Sequence, residues 1–308
     1  MRIYTLNERP DYFSQLKCFL NKSLEKDFIT DHMIKRCTIN DPNYNPELTF
    51  LALEKDDLIG ILIGVERIKA PKEVVEAQRN MAWIKIIAIS PRHRNKQAFN
   101  RLLNAFLDEM KNKKEIKVAN FASWHFHPGV NVEYEYYLEN YLANGFMKYG
   151  EVVDYELDLK FFHVPRRILL NEKKLREEGL TFKIVDNEHI SDVKEWIKNK
   201  FSPYWAFEAE VAVREKHGGL WISYDNNDNI IGFSVYGALE PNWFGPIGVD
   251  EKFRHLGIGS ILLFKALNSL RLNGVRYAII PWTQHLFFYS QIPGIIGIRH
   301  YYFLKLTL

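Results

Sequence analysis

Apolar residues recur along this chain with two different periods, and the two kinds of segment alternate. In residues 13–24 and 99–110 they fall three and four positions apart, which is the spacing of one face of a helix. In residues 48–53, 58–68 and 83–89 they form short, nearly continuous runs bounded by charged or turn-forming residues, which predicts strands. The presence of both kinds of element predicts a mixed fold, α/β of the α+β type.

The second half of the chain shows the same order of predicted elements as the first half. Strand patterns occupy residues 180–185, 220–224, 230–236, 243–249, 277–281 and 301–306, and helical patterns occupy residues 190–201, 257–272 and 287–291. An order that repeats at an offset of roughly 150–160 residues indicates a duplicated domain. We therefore predict one domain over residues 1–160, a charged linker helix over residues 161–179 and a second domain over residues 180–308.

Composition and charge exclude several classes of protein. The 41 lysines and arginines nearly balance the 38 aspartates and glutamates, and the net charge of +3 is too small for a protein that wraps nucleic acid. Two cysteines exclude a disulfide scaffold. The first dozen residues contain no apolar signal segment, which favours a cytoplasmic location. Residues 277–298 lack Asp, Glu, Lys and Arg, but two prolines within them argue against a membrane span.

The segment with the most informative chemistry joins a predicted strand to a predicted helix. It contains Ile247-Gly248-Val249 and then Arg254-His255-Leu256-Gly257-Ile258-Gly259-Ser260. Two glycines at a helix start let successive main-chain amides face an anion, and the helix dipole favours negative charge there. Arg254 adds a cation, and Ser260 adds a hydroxyl. The segment therefore predicts capture of a pyrophosphate, although it lacks the lysine of a Walker A loop and the third glycine of a Rossmann turn.

This segment resembles the R-x-x-G-x-G/A signature of the GCN5-related N-acetyltransferases, the GNAT superfamily. The resemblance covers residues 180–308 well, because the strand before the loop and the helix after it also match. It implies that the loop holds the pyrophosphate of acetyl-CoA as cosubstrate and that Ile247, Gly248 and Val249 pair with the pantetheine arm. It also implies two tandem acyl-CoA N-acyltransferase folds, each a mixed, mostly antiparallel sheet flanked by helices.

A second feature of the same family follows further along the chain, where a strand precedes a helix that contains Y-x-x-x-G-F. Here residues 277–281 resemble that strand, and Tyr289 to Gly294 resembles the motif with one extra residue. The resemblance implies that Tyr289 lies near the CoA sulfur and protonates the departing thiolate. A core tyrosine with a hydrogen-bonded hydroxyl is the alternative interpretation of this position.

The first half of the chain resembles the family more faintly. Tyr141 to Phe146 matches Y-x-x-x-G-F and Arg94 stands at the position of the loop arginine, but Gln97 and Phe99 replace the two glycines. Their side chains are expected to occupy the phosphate cradle and to remove its backbone freedom. We therefore expect a degenerate copy that keeps the fold and does not bind CoA.

Residues that serve the amine acceptor are harder to identify. Glu240 is the candidate general base, Glu208 and Glu210 are the next carboxylates, and Glu208 and Trp282 are candidates for the acceptor site. A solvated surface charge is the competing interpretation of all three carboxylates. His125 and His127 alternate onto one face of an extended segment, but no third ligand accompanies them, so we expect no metal.

Together these inferences predict an acetyl-CoA-dependent N-acetyltransferase that acts on a primary amine of a small molecule, by direct attack in a ternary complex. Neither cysteine lies near the motifs in sequence, so no acyl-enzyme is expected. We expect no nucleic-acid or membrane partner, and either a monomer or a homodimer. The alternative hypothesis is a non-catalytic protein that binds acetyl-CoA as a sensor or scaffold.

Overall fold

The predicted alternation of helices and strands runs through residues 1–94 and 96–308, the part of the chain that the computed structural model describes. In chain order the elements are β1 (Arg2–Thr5), α1 (Leu16–Ser23), α2 (Asp31–Cys37), β2 (Thr49–Glu54), β3 (Asp57–Glu66), α3 (Lys72–Gln78), β4 (Met81–Ile89), α4 (Lys96–Glu109), β5 (Glu115–Val118), β6 (Val130–Asn131), α5 (Glu135–Ala143), β7 (Met147–Asp158), α6 (Arg166–Glu177), β8 (Thr181–Ile184), α7 (Ile190–Lys200), α8 (Pro203–Arg214), β9 (Gly219–Tyr224), β10 (Ile230–Tyr236), β11 (Phe244–Val249), α9 (Ile258–Leu272), β12 (Tyr277–Thr283), α10 (Leu286–Tyr289) and β13 (Ile295–Thr307).

The chain divides into two units, each with its own core. Unit 1 comprises residues 1–152 and 300–308, and unit 2 comprises residues 153–299. The C-terminal residues, which we expected in the second domain, belong to unit 1 because they pair with β5 and β6. Helix α6, which we expected as a linker between domains, lies inside unit 2.

Unit 1 is built on a mixed sheet in the order β1-β2-β3-β4-β5. Neighbouring strands are antiparallel except β4 and β5, which run parallel. Helix α4 packs on β2 and β3 and buries Leu102, Leu103 and Phe106. These side chains are three or four positions apart, so the predicted apolar face of the helix is the face that meets the sheet.

Unit 2 contains the antiparallel sheet β11-β10-β9-β8, and residues 153–158 of β7 pair antiparallel with β12. The buried residues of β10 contribute to two apolar clusters. Ile231 and Tyr236 pack with α9, whereas Phe233 and Val235 pack with α7 and α8. The packing of α9 against β9, β10 and β11 fixes the start of α9 just beyond the end of β11.

The long uncharged run in the sequence is not a single helix. Residues 277–298 form β12, α10 and the beginning of β13. In the ranges that the structure describes, no helix combines the length and the apolar character needed to cross a membrane.

Candidate functional site

Strands β11 and β12 of unit 2 meet at one point and then part. Trp243 forms a parallel bridge with Ile279, and the Ile279 amide donates to the Asn242 carbonyl at 3.0 Å. Beyond this bridge β11 is the last strand of its sheet, while β12 pairs with β7. Among the described residues, no strand therefore pairs with the second edge of β11 after Trp243.

The main-chain groups that face this open edge follow from the register of β10 and β11. The Asp250 amide donates to the Ile231 carbonyl at 2.8 Å, and Phe233 lies opposite Gly248. Hydrogen-bonded pairs alternate with non-bonded pairs in an antiparallel ladder, so Gly248 bonds to β10. The amides of Ile247 and Val249 consequently point away from β10, where an extended ligand could pair with them.

The loop between β11 and α9 turns through left-handed backbone conformations. His255 has φ 68°, and Gly257 has φ 82° at the N-cap of α9. The side-chain amide of Asn171 on α6 donates to the Leu256 carbonyl at 2.9 Å. A Cβ on Gly257 would lie 2.5 Å from Asn171 Nδ2, so the backbone conformation favours glycine here and a larger residue would also have to displace the Asn171 side chain.

The first turn of α9 presents unbonded amides beside this loop. Within the described part of the chain, the main-chain amides of Ile258, Gly259 and Ser260 have no acceptor, and the first amide to be bonded is that of Ile261, which donates to the Gly257 carbonyl at 3.1 Å. A Cβ on Gly259 would make only ordinary contacts, at 3.5 Å from Phe288 and 3.6 Å from Val249. Packing within the protein therefore does not require glycine at 259.

The predicted loop arginine is engaged on the surface. Arg254 forms an ion pair with Glu251, with Nη1 and Oε1 3.3 Å apart, and about half of its side chain is exposed. His255 and Leu256 are exposed next to it. The loop therefore carries the Arg254 guanidinium and the His255 ring on the surface, next to the unbonded amides that begin α9.

Tyr289 lies at the end of the short helix α10 and is buried in the core of unit 2. Its ring packs against Tyr155, Phe244 and Phe288, with centroid distances of 5.9, 6.2 and 4.9 Å. Burial raises the pKa of its phenol well above the ordinary value, and a hydrogen bond with the Thr283 side chain offsets part of that rise. Because Phe244 directly follows the bridge residue Trp243, Tyr289 lies beside the point where β11 and β12 part.

The candidate base Glu240 occupies the turn between β10 and β11. Its carbonyl accepts the Trp243 amide at 3.0 Å, and the residue is only 3% exposed. The solvated-surface interpretation is therefore wrong for Glu240, because the turn folds it against the start of β11. Glu208, on α8, is half-buried.

Trp282 stands in a strained bulge of β12. The register between β12 and β7 shifts between Ile280 and Thr283, and Trp282 has φ 54°, which is rare for a bulky residue. Its amide donates to Oδ1 of the buried carboxylate Asp154 at 2.8 Å. Sequence reasoning missed Asp154, although an aspartate inside the otherwise apolar run Val152-Val153-Asp154-Tyr155 is a signal of a buried polar role.

The corresponding edge in unit 1 is already occupied. The Ile89 amide, at the end of β4, donates to the Tyr137 hydroxyl at 3.0 Å. The Arg94 guanidinium binds the Ser23 carbonyl and the Glu25 carboxylate, both at 2.7 Å. The groups of unit 1 that correspond to the accessible main-chain and cationic groups of unit 2 are therefore already bonded within unit 1 itself.

The two residues that replace the loop glycines in unit 1 do not both fill a phosphate cradle. Gln97 is exposed, whereas Phe99 is fully buried and packs against the rings of Tyr136 and Tyr141 at 6.4 and 5.1 Å. The expectation for Phe99 is wrong because an apolar side chain in the first turn of α4 gains more from the core than from a polar loop.

A buried ion pair lies where β4 and β5 part. Their ladder ends at Ile84 and Val118, and the next residue, Lys85, places Nζ 2.5 Å from Asp41 Oδ2 and 2.7 Å from the Cys37 carbonyl. Burial lowers the pKa of Lys85. This part of unit 1 is therefore filled by protein side chains.

No set of three or more His, Cys, Asp or Glu side chains is arranged around a common point in residues 1–94 and 96–308. His125 is buried, and burial lowers its pKa well below the ordinary value.

Comparisons with known proteins agree with this geometry. The sequence profile of the Acetyltransferase (GNAT) family matches residues 13–128 and 188–286. A GCN5-related glucosamine N-acetyltransferase region of a fungal multi-domain GH3 beta-N-acetylglucosaminidase is similar over 99% of this chain, with a TM-score of 0.75 and 16% identity; the chain spans 38% of that structure's length. No curated protein matches the sequence significantly.

Two further solved structures are similar over nearly their whole length. A GCN5-related N-acetyltransferase from Sphaerobacter thermophilus has a TM-score of 0.66 and 10% identity, with 97% of this chain and 93% of that chain covered. A tandem GNAT protein from the clavulanic acid biosynthesis pathway has a TM-score of 0.65 and 13% identity, with 99% and 98% covered. The profile matches fall in both halves of the sequence and together cover more than half of it. The chain therefore belongs to the GNAT acetyltransferase family, as a tandem member with two copies of the fold.

Proposed function

We propose that this protein transfers the acetyl group of acetyl-CoA to a primary amine of a small molecule, and that unit 2 holds the site. The observation that carries the proposal is the open edge of β11 beside the unbonded amides that begin α9. An extended chain of amides, such as pantetheine, can pair with Ile247 and Val249 on either side of Gly248. A pyrophosphate matches the amides of Ile258, Gly259 and Ser260, with Arg254 and His255 at the rim.

The side chains near the parting strands suit the two proton transfers of the reaction. When bound, acetyl-CoA supplies a thioester that a neutral amine can attack. Glu240 would accept the proton that the amine nitrogen loses as the new C–N bond forms. Main-chain amides of β11 near Val249 that the pantetheine arm leaves unpaired would stabilise the negative charge that develops on the carbonyl oxygen. As the C–S bond breaks, the Tyr289 hydroxyl would donate a hydrogen bond to the departing sulfur, and solvent would supply the proton that the sulfur gains.

The raised pKa of Tyr289 limits how it can act. Its phenol stays protonated throughout the neutral range, so the donor is present at any pH at which the protein functions. Because a thiol is ordinarily more acidic than this phenol, we propose that Tyr289 mainly donates a hydrogen bond to the departing sulfur and that solvent completes the protonation.

For the acceptor we propose an amine attached to a ring, with Trp282 and Glu208 near it. An aromatic side chain held in a fixed bulge can stack on the apolar face of a sugar, and a half-buried carboxylate can attract an ammonium group. Glucosamine is the first member of the test panel, because one structurally similar protein is described as a glucosamine N-acetyltransferase region. We further propose that neither a nucleic acid nor a membrane takes part, that the protein is a monomer or homodimer, and that it is cytoplasmic.

Calorimetry with acetyl-CoA and a thiol assay for released CoA over an amine panel test this function. We expect binding in the absence of amine and release with at least one amine. Tyr289→Phe should then lower kcat about tenfold or more, as expected for loss of a hydrogen bond to a leaving group that becomes negatively charged. Tyr155→Phe is the matched control, because it removes the hydroxyl of a neighbouring buried tyrosine that bonds the Leu286 carbonyl instead.

The results separate catalysis from the alternatives. Binding without CoA release for any amine would favour a non-catalytic sensor or scaffold. An absence of binding would overturn the assignment of the site. Equal kcat losses for the two tyrosine variants would remove the proposed role of Tyr289.

A further inference from the structure

Helix α6 lies against the loop that precedes α9. The Asn171 side chain donates to the Leu256 carbonyl at 2.9 Å and fills the space where a side chain on Gly257 would go. Residues four positions apart lie on the same face of a helix, about 5–6 Å apart between Cβ atoms. The face of α6 that carries Asn171 therefore also carries Arg167 beside the loop.

A second contact places the Arg167 side chain. Its Nη2 lies 3.5 Å from Oε1 of Gln291, which follows α10 by two residues. Arg167 consequently lies near both the glycine loop and the segment after α10. These are the two elements that flank the unbonded amides of Ile258 to Ser260, since Phe288 of α10 also lies beside Gly259.

The charge of Arg167 is not neutralised inside the protein. Its side chain is exposed, and in the described ranges its contact is with a neutral amide oxygen, at the long limit of a hydrogen bond. Arg254, by contrast, is held by the Glu251 carboxylate. A ligand phosphate could therefore bind Arg167 without breaking an ion pair.

We propose that Arg167 binds a phosphate group of the CoA nucleotide, either the pyrophosphate or the ribose 3′-phosphate. This inference rests on the proposed function of unit 2 and adds α6 to the elements that hold the cosubstrate. The guanidinium group offers paired N–H donors that match phosphate oxygens in a way an amide cannot. Asn171 lies on the same face of α6 and is a positioning residue, because its side chain bonds the Leu256 carbonyl of the loop and not the ligand.

The test compares variants of two adjacent arginines. Arg167→Gln should weaken acetyl-CoA binding about fivefold, the effect of one partly exposed charge-assisted contact, and the loss should shrink at high salt. Arg167→Lys should recover part of the affinity. Arg166→Gln is the matched control, because Arg166 has the same charge and exposure but lies about 100° around the helix from Arg167.

Acetyl-3′-dephospho-CoA identifies which phosphate is bound. If Arg167 binds the 3′-phosphate, Arg167→Gln and the parent protein bind this analogue equally. If it binds the pyrophosphate, the fivefold loss persists with the analogue. Affinity that is unchanged in Arg167→Gln, or lowered equally in Arg166→Gln, would overturn the proposal while leaving the function of unit 2 intact. Failure of the parent protein to bind acetyl-CoA would overturn both.

Discussion

One main-chain conformation determines whether the loop before α9 can form. Gly257 has φ 82°, and a Cβ on it would lie 2.5 Å from Asn171 Nδ2. Gly257→Ala must therefore adopt a left-handed conformation at a cost of about 1–2 kcal/mol and also displace the amide that bonds Leu256. We expect about tenfold weaker acetyl-CoA binding, measured by calorimetry, because the loop loses its shape.

Gly274 provides the matched control for this substitution. It has φ 86° just after α9, and nothing lies within 4 Å of its Cβ position. Gly274→Ala carries the same backbone strain without a steric clash and away from the loop. It should lower the free energy of unfolding by about 1 kcal/mol and leave the affinity for acetyl-CoA unchanged. Equal losses of affinity in the two variants would contradict a local role for Gly257.

A buried histidine gives unit 1 a pH dependence of definite sign. Burial lowers the pKa of His125, and the nearby charges of Arg36, His127 and Lys85 lower it further. The ring stays neutral in the folded protein, whereas the unfolded chain takes up a proton near pH 6.5, so the unfolded state binds more protons below that pH. The titration of His125 therefore leaves the free energy of unfolding unchanged above about pH 6.5. As the pH falls below that value, it lowers the free energy of unfolding by up to about 1.4 kcal/mol per pH unit.

Denaturant unfolding at about pH 7.5 and about pH 5.5 measures this dependence. The parent protein should lose stability at the lower pH, and His125→Gln should lose less, because its side chain does not titrate. The same pH dependence in parent and variant would show that other groups are responsible.

The glycine loop could be predicted from the sequence, whereas the surroundings of the site could not. The left-handed conformation of Gly257 depends only on its neighbours in the chain, so the residues around it were sufficient to predict the loop. The bond between Asp154 and the Trp282 amide joins positions that are 128 residues apart in the chain. No local pattern encodes such a contact.

At the scale of elements, β4 of unit 1 and β11 of unit 2 have similar places in their units but differ in whether the amide at one edge has a hydrogen-bond partner. In unit 1 the Ile89 amide at the end of β4 donates to the Tyr137 hydroxyl at 3.0 Å, whereas the register of β11 leaves the Val249 amide of unit 2 facing an unpaired edge. We expect slow hydrogen exchange at Ile89 and fast exchange at Val249. Acetyl-CoA should slow exchange at Val249 and leave Ile89 unchanged, because only the open edge can take a ligand.

Tyr137→Phe controls for the role of the hydroxyl. Removal of a single acceptor should speed exchange at Ile89 about tenfold, with no effect at Val249. Protection of Ile89 that grows with acetyl-CoA would contradict the proposal that unit 1 does not bind it.

Apolar runs predicted some strands closely and others poorly, for a physical reason. The pattern at residues 230–236 coincides with β10, whose residues are almost all buried. Strand β13, by contrast, begins at Ile295 rather than at the predicted 301. Its early residues alternate between exposed and half-buried positions, so pairing of main-chain groups extends this strand where burial does not.

At the scale of the whole chain, the two units are not two consecutive stretches of sequence, because unit 1 also contains residues 300–308. The C-terminal part of β13 completes unit 1 by pairing with β5, although more than 180 residues separate the two strands, as in the pair Lys305 and Lys117. Sequence pattern placed this strand with its neighbours in the chain, because periodicity identifies a strand and not its partner. Leu304, fully buried, should therefore stabilise unit 1 and not the residues that precede it.

Two buried leucines, one in each unit, test this division. Leu304→Ala and Leu267→Ala each open a cavity in a core and should each cost about 2–5 kcal/mol. Hydrogen exchange under native conditions should show faster opening of β2 and β3 in the first variant and of α9 in the second, because lost packing lowers the opening free energy of the unit that contains it. If Leu304→Ala instead released α9 and left β3 protected, the C-terminal strand would belong energetically to unit 2. If each variant accelerated both sets of amides equally, the two units would unfold as one cooperative body, and the duplicated fold would not correspond to two units of stability.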